Sequence, residues 1–189
     1  MFSIIDANKG IYVILFNTKD VYPLKKSRTL ILLLCLSTLL ITMSKAQQRL
    51  VTFESYASLE KSFHLSSDTT YVVNFWATWC KPCVQELPYF EQFNTENKNK
   101  AVKVVLVSLD FAKQIDSHLI PFIEKRKLTS QVVFMADKNY NQWLNKVSPE
   151  WSGSIPATLL LRGQQRTFVE QEFDSAEELN TWIHSFIKS

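Results

Sequence analysis

Residues 71–88 read YVVNFWATWCKPCVQELP, and the spacing of the apolar residues changes within this stretch. The first six residues are mostly aromatic or β-branched, which predicts a buried strand over 71–76. After the two cysteines, apolar residues recur every three positions, as on one face of a helix; they are Val84, Leu87, Phe90 and Phe93. We therefore expect a strand, a short turn and a helix, with Cys80 at the junction and Cys83 in the first helical turn.

The N-terminus of a helix is a favourable position for a reactive cysteine. Unpaired backbone N–H groups and the positive end of the helix dipole stabilise a thiolate there. This lowers a cysteine pKa from ~8.5 toward neutrality or below. A zinc half-site is the alternative for such a pair, but no second CxxC follows and His64, His118 and His184 are scattered. The pair therefore favours redox chemistry over metal binding.

Two strings carry a resemblance to a known family. Residues 74–88, NFWATWCKPCVQELP, resemble the active-site motif of the thioredoxin superfamily. Within the superfamily they resemble one branch in particular, the TlpA/ResA-like thiol–disulfide reductases of bacterial cell envelopes, whose motif continues after the second cysteine as x-x-Glu-x-Pro. Residues 153–158, GSIPAT, are similar to the family's loop with a cis X–Pro bond facing the cysteines. The resemblance covers residues 50–189 and implies a thioredoxin-like α/β fold, with a mixed central sheet flanked by helices and an insertion before the cis-proline strand.

The resemblance also implies roles for the catalytic residues. Cys80 would attack a client disulfide and Cys83 would resolve the mixed disulfide, so that the only redox group is a Cys80–Cys83 disulfide. Glu86 would handle protons beside the pair. Thioredoxins have a buried Asp for this purpose, but this chain has Asn74 at that position, and Asn cannot take up a proton. The alternative is that Glu86 is an ordinary exposed acid on the helix. Pro156 would be cis, with its ring against the disulfide.

Four further residues are expected to bind substrate or tune the couple. Trp79 would flank the cysteines as an apolar surface for partners, and the backbone of Ile155 would pair with an extended client segment. Lys81 would favour the thiolate by its charge, unless it is an ordinary exposed lysine. Pro82 presets a helical φ in the first turn. Strong oxidants and isomerases of the superfamily usually carry His at that position, so Pro82 favours a reductase.

The excess positive charge of the chain lies near its start. Residues 1–46 hold six Lys/Arg and two Asp/Glu, which leaves 15 basic and 16 acidic residues in the rest of the chain. A near-neutral remainder gives no electrostatic support for binding nucleic acid.

The sequence predicts a signal peptide over about 25–46, because basic residues precede an apolar stretch at 30–43 and small residues follow at 44 and 46. An anchor through 30–43 is the alternative, although a bilayer span needs ~20 residues.

These features divide the chain into two parts. Residues 1–46 form a targeting segment, and 47–189 form one thioredoxin-like domain. The segment before the basic residues at 25–28 is longer than the usual n-region of a secretory signal peptide. We therefore expect translation to start near residue 21 or 24, from a non-Met codon. Export would place the domain in the periplasm or cell envelope.

The apolar periodicity predicts the elements of the domain. Strands are expected at 49–53, 71–76, 101–109 and 131–135, followed by an antiparallel pair at 158–161 and 167–170. Helices are expected at 55–65, 82–97, 112–127, 141–147 and 175–187. A capping box formed by Ser175 and Glu178 would open the last helix.

The resemblance implies a thiol–disulfide reductase. Its clients would be proteins with disulfides, apocytochrome c among them. Its electrons would come from a membrane dithiol carrier, and the protein would act as a monomer. One alternative is a copper chaperone or a non-catalytic thioredoxin-like binding module that uses the cysteines as soft ligands. Copper-delivery relatives prefer CxxxC with a distant His, which this chain lacks. The chain also lacks the Pro-x-x-x-Thr-x-x-Cys string of peroxiredoxins.

Overall fold

The computed structural model describes residues 50–188, which fold around one six-stranded sheet. The strands are β1 (Val51–Phe53), β2 (Thr70–Trp76), β3 (Val102–Ser108), β4 (Gln131–Met135), β5 (Ala157–Arg162) and β6 (Gln165–Val169). The α-helices are α1 (Tyr56–Ser62), α2 (Lys81–Glu96), α3 (Ile120–Arg126), α4 (Tyr140–Val147) and α5 (Ala176–Lys188). A 3₁₀ turn (Ala112–Gln114) and a π-helical turn (Ile115–Leu119) precede α3.

The sheet is mixed, with the strand order β1-β4-β3-β2-β5-β6. The first four in this order are parallel to one another, while β5 pairs antiparallel with β2 and β6 pairs antiparallel with β5. In the unit β2–α2–β3 the helix crosses over the sheet, so that β3 lies beside β2 and runs parallel to it, as in a βαβ unit. This confirms the predicted thioredoxin-like architecture, including the segment with α3, β4 and α4 that lies between the βαβ unit and β5.

Helices cover both faces of the sheet and enclose two apolar cores. On one face α2 and α5 pack against the strands through Leu87, Phe90, Phe93, Leu179, Ile183 and Phe186. On the other face α1 and α4 contribute Tyr56, Leu59, Trp143 and Val147. Alternate residues of β2 enter opposite cores, Val72 the first and Val73 the second. Coverage on both sides explains why β2 and β3 read as nearly continuous apolar runs.

The predicted helix over 112–127 is wrong in its first half. Pro121 has no N–H to donate, and in a straight α-helix its ring would clash with the carbonyl of Ser117. The chain instead passes through the 3₁₀ and π-helical turns, and a regular α-helix spans only Ile120–Arg126. Lys127 then ends the helix in the left-handed region, at φ 54°.

The predicted capping box at the last helix is half right. The Oγ of Ser175 accepts a hydrogen bond from the N–H of Glu178 at 3.2 Å. The Glu178 carboxylate, however, accepts from the N–H of Asp174 at 2.8 Å, one residue earlier than a capping box requires. The helix start is therefore held by both residues, but not in the reciprocal arrangement.

The predicted targeting segment and the first residues of the predicted domain, 47–49, lie outside the described residues and stay predictions. Among residues 50–188, no helix has the length and apolarity that a membrane crossing requires.

Candidate active site

Cys80 and Cys83 form a disulfide at the start of α2, just beyond the C-terminal end of β2. Cys80 is the N-cap of the helix, and its Sγ accepts a hydrogen bond from the backbone N–H of Cys83 at 3.3 Å. Cys80 is 6% exposed, whereas Cys83 is completely buried. An incoming group therefore meets the Cys80 sulfur first, and the helix N-terminus stabilises a thiolate there once the disulfide is reduced.

The loop before β5 lies against this disulfide. The Ile155–Pro156 peptide bond is cis, as predicted, and the carbonyl oxygen of Ile155 lies 3.6 Å from the Sγ of Cys80. The antiparallel pairing of β5 with β2, which sets Ala157 opposite Phe75, brings the loop to this position. Two strings about 65 residues apart in sequence thus meet at one site.

Glu86 is buried on the same helix as the cysteines, one turn after Cys83. Its Oε1 accepts a hydrogen bond from Asn74 Nδ2 at 2.8 Å, and its Oε2 accepts from the N–H of Phe173 at 3.0 Å. The Asn74 amide also donates to Thr158 Oγ1 at 3.1 Å. The alternative of an exposed helix acid is therefore excluded by the structure.

The surroundings of Glu86 set its proton affinity. Burial disfavours the charged carboxylate, while the hydrogen bonds from Phe173 and Asn74 favour it. Burial dominates and raises the pKa of Glu86 from 4.5 to about 7. This carboxyl group can therefore gain or lose a proton near neutral pH.

The other predicted residues lie around the mouth of the site. Trp79 is 55% exposed, and its ring stacks on Phe111, which is 56% exposed, with centroids 6.1 Å apart. Lys81 and Pro82 are the first two residues of α2, where Lys81 is exposed and Pro82 half-buried. The apolar surface predicted from Trp79 alone is therefore a pair of aromatic rings, and sequence reasoning missed Phe111.

Sequence reasoning also missed Asp110, a buried carboxylate that joins two loops of the site. It accepts hydrogen bonds from the N–H of Thr78 at 3.1 Å and from the Thr78 hydroxyl at 2.5 Å. The Ser108 hydroxyl donates to it at 2.8 Å. The residues that follow Thr78 and Asp110 are the two stacked aromatics, so this carboxylate joins the two backbone segments that carry Trp79 and Phe111.

The part of the chain that the structure describes contains no group of three or more His, Cys, Asp or Glu residues arranged to hold a metal ion.

Comparison with known proteins places these features in a family. A sequence model of the Redoxin family matches residues 45–147. The thiol–disulfide oxidoreductase ResA of Oceanobacillus iheyensis is 43% identical over 68 residues, which are 36% of this chain and 33% of that protein. The sporulation thiol–disulfide oxidoreductase A of Bacillus subtilis is 37% identical over 62 residues, which are 33% of this chain and 38% of that protein. The matches thus span little more than a third of these relatives' length.

A solved structure agrees with the fold. The thioredoxin-related protein of Neisseria meningitidis serogroup B superposes with a TM-score of 0.56 at 20% identity. The superposition covers 72% of this chain and 93% of that one. At this identity the likeness concerns the thioredoxin-like fold alone.

Proposed function

We propose that this chain, which belongs to the Redoxin family, is a thiol–disulfide oxidoreductase that works through a reversible Cys80–Cys83 disulfide. The observation that carries the proposal is the position of that disulfide at a helix N-terminus, facing a cis-proline loop. Two curated relatives are named thiol–disulfide oxidoreductases, which supports the same activity.

The reduction of a client disulfide proceeds by two exchanges. The Cys80 thiolate attacks one client sulfur, so the client S–S bond breaks, a mixed disulfide forms and the other client sulfur leaves as a thiolate. Cys83 then loses its proton and attacks the Cys80 sulfur, which releases the second client thiolate and forms the Cys80–Cys83 bond. The client gains two electrons, its two thiolates take up protons, and an external dithiol returns the protein to its reduced form.

Glu86 is the group that accepts the proton of Cys83 in this scheme. It lies one helical turn from Cys83, on the same buried side of α2, and water is excluded from both side chains. A general base works best when its pKa is near the operating pH, which the value of about 7 for Glu86 satisfies. The neighbouring Asn74 cannot take a proton and serves to orient the carboxyl group.

The finer features of the proposal rest on the family resemblance. The direction is reduction, which Pro82 favours over oxidation. Clients are proteins with disulfides, including the cysteines of apocytochrome c, and a membrane dithiol supplies the electrons. The location is the cell envelope, reached through the targeting segment within residues 1–46.

The activity is tested by insulin-disulfide reduction with dithiothreitol as the electron source. Cys80→Ser should lower turnover at least about 100-fold, because the attacking sulfur is lost. Cys83→Ser should accumulate a mixed disulfide with the client. Ser66→Ala, at an exposed position before β2, is the control and should leave turnover unchanged. Full turnover in Cys80→Ser contradicts the proposal, and tight Cu(I) binding without turnover in the wild type supports the copper chaperone instead.

The direction is tested by the midpoint potential of the Cys80–Cys83 couple, titrated against a dithiothreitol or glutathione buffer. Reducing members of the superfamily lie near about −270 mV and strong oxidants near about −120 mV. We expect a value in the reducing half of this range. A midpoint above about −180 mV would mean that the protein oxidises its clients.

A further inference from the structure

The loop that leads into the cis-proline is held by one carboxylate, that of Glu170. Glu170 follows β6 directly, and its Oε2 accepts a hydrogen bond from the N–H of Ser152 at 2.8 Å. Its Oε1 accepts from the N–H of Ser154 at 3.0 Å and from the Ser152 hydroxyl. Three donors from one short loop thus converge on a single side chain.

This loop has few other means of holding its shape. Ser152, Gly153 and Ser154 are exposed, and β5 begins only at Ala157. Gly153 has φ +98°, a conformation that other residues adopt only with strain. Apart from the Glu170 contacts, the indole N–H of Trp151 donates to the carbonyl of Ser154 at 2.8 Å, and the hydroxyls of Ser152 and Ser154 lie within hydrogen-bond distance of each other, at 3.2 Å. Without the carboxylate, two loop N–H groups would have only water as a partner.

The charge state of Glu170 suits this task. Partial burial raises the pKa of Glu170, but the hydrogen bonds donated by Ser152 and Ser154 outweigh it and hold the pKa below its ordinary value. The group is therefore a carboxylate at the pH where the cysteines exchange. Hydrogen bonds to a charged acceptor are shorter and about twice as strong as those between neutral groups.

We propose that Glu170 is a positioning residue for client binding: its carboxylate fixes loop 152–154 so that the backbone of Ile155 stands beside Cys80 for an extended client segment. This inference rests on the proposed function. An extended segment that pairs with the Ile155 backbone needs both its N–H and C=O in register with the reacting sulfur. A displaced loop would misalign the client disulfide, and a misplacement of about 1 Å can cost as much as about 100-fold in rate.

The test compares a polypeptide disulfide with a small one. We expect Glu170→Gln to lower kcat/KM for insulin by about 10- to 100-fold, mainly through a higher KM. The reaction of the reduced protein with the small disulfide dithiobis-nitrobenzoate should change less than about twofold, because that reagent needs Cys80 and no backbone pairing. Glu177→Gln, an exposed carboxylate in the first turn of α5, is the matched control and should leave both reactions unchanged.

Two further measurements separate positioning from a purely structural role. Amide hydrogen exchange at Ser152 and Ser154 should be slowed in the wild type and fast in Glu170→Gln. Ser152→Ala removes one of the three donors and should give an intermediate loss with insulin. Equal losses on both disulfides, or wild-type amides that exchange at the rate of a free peptide, would overturn the inference. A wild type that reduces neither disulfide would refute the proposed function, while the exchange rates would still decide the role of Glu170.

Discussion

Two buried carboxylates beside the disulfide, Glu86 and Asp110, have different surroundings. Glu86 accepts one hydrogen bond on each oxygen and is completely buried, so its charge is poorly compensated. Asp110 receives donors from Thr78 and Ser108 at both of its oxygens. The first arrangement suits a group that exchanges protons, and the second suits a group that holds loops together.

Asp110→Ala should therefore weaken the fold and the site together. Removing the carboxylate leaves the N–H of Thr78 and the Ser108 hydroxyl without their acceptor, which costs about 1–3 kcal/mol of unfolding free energy for a buried group. Urea unfolding measures this loss. Asp116→Ala, on the exposed face of the π-helical turn, is the control and should change stability by less than about 0.5 kcal/mol. Equal stabilities for the two variants would show that Asp110 does not hold the loops.

Single residues differ in how well the sequence predicts them. Cys80, Cys83, Glu86 and Pro156 could be located because each occupies a fixed place in a short motif. Asp110 and Glu170 could not, because Thr78 lies 32 residues from Asp110, and the loop donors lie 16 to 18 residues from Glu170. Their contacts depend on which strands are neighbours in the sheet, and no local spacing records that.

At the scale of elements, periodicity located every strand of the described part to within two residues. β2 and β3 were clear because a strand covered on both faces contains few polar residues. The segment 112–127 was misread because its apolar spacing is helical while Pro121 prevents a regular helix. The start of α5 was misread by one residue, since Glu178 reaches past Ser175 to the N–H of Asp174. Patterns of burial were thus predicted better than local hydrogen bonding.

For the whole molecule, the burial of Glu86 makes folding stability depend on pH. Its pKa is about 7 in the folded chain against an ordinary 4.5, so the folded state binds more protons across this range. Stability therefore falls as pH rises from about 4.5 to about 7, by about 3 kcal/mol in total, and this group adds no further change above that. The contribution is complete below about pH 4.5, where Glu86 is protonated in both the folded and the unfolded state, and is lost by about pH 7.

Glu86→Gln should remove this dependence. Urea unfolding of the oxidised protein at about pH 5, 6 and 8 should show a falling free energy for the wild type and a flatter profile for the variant. The difference between the two proteins is the useful quantity, because other titrating groups contribute equally to both. Parallel profiles would mean that Glu86 stays charged in the folded state and does not accept a proton near neutral pH.

The two outer strands of the sheet bear on self-association. β1 contributes only three residues, and β6 begins with the exposed Gln165 and Arg166. Arg166 is further engaged, since its guanidinium forms an ion pair with Glu60 at 3.1 Å and donates to the carbonyl of Lys146 at 3.0 Å. Short or charged edge strands are poor templates for the addition of another strand, and they protect a sheet from aggregation. Under the proposed function, the protein can thus present the backbone of one loop to a client, while its outer strands offer little for copies of itself, or for long stretches of the client, to extend the sheet.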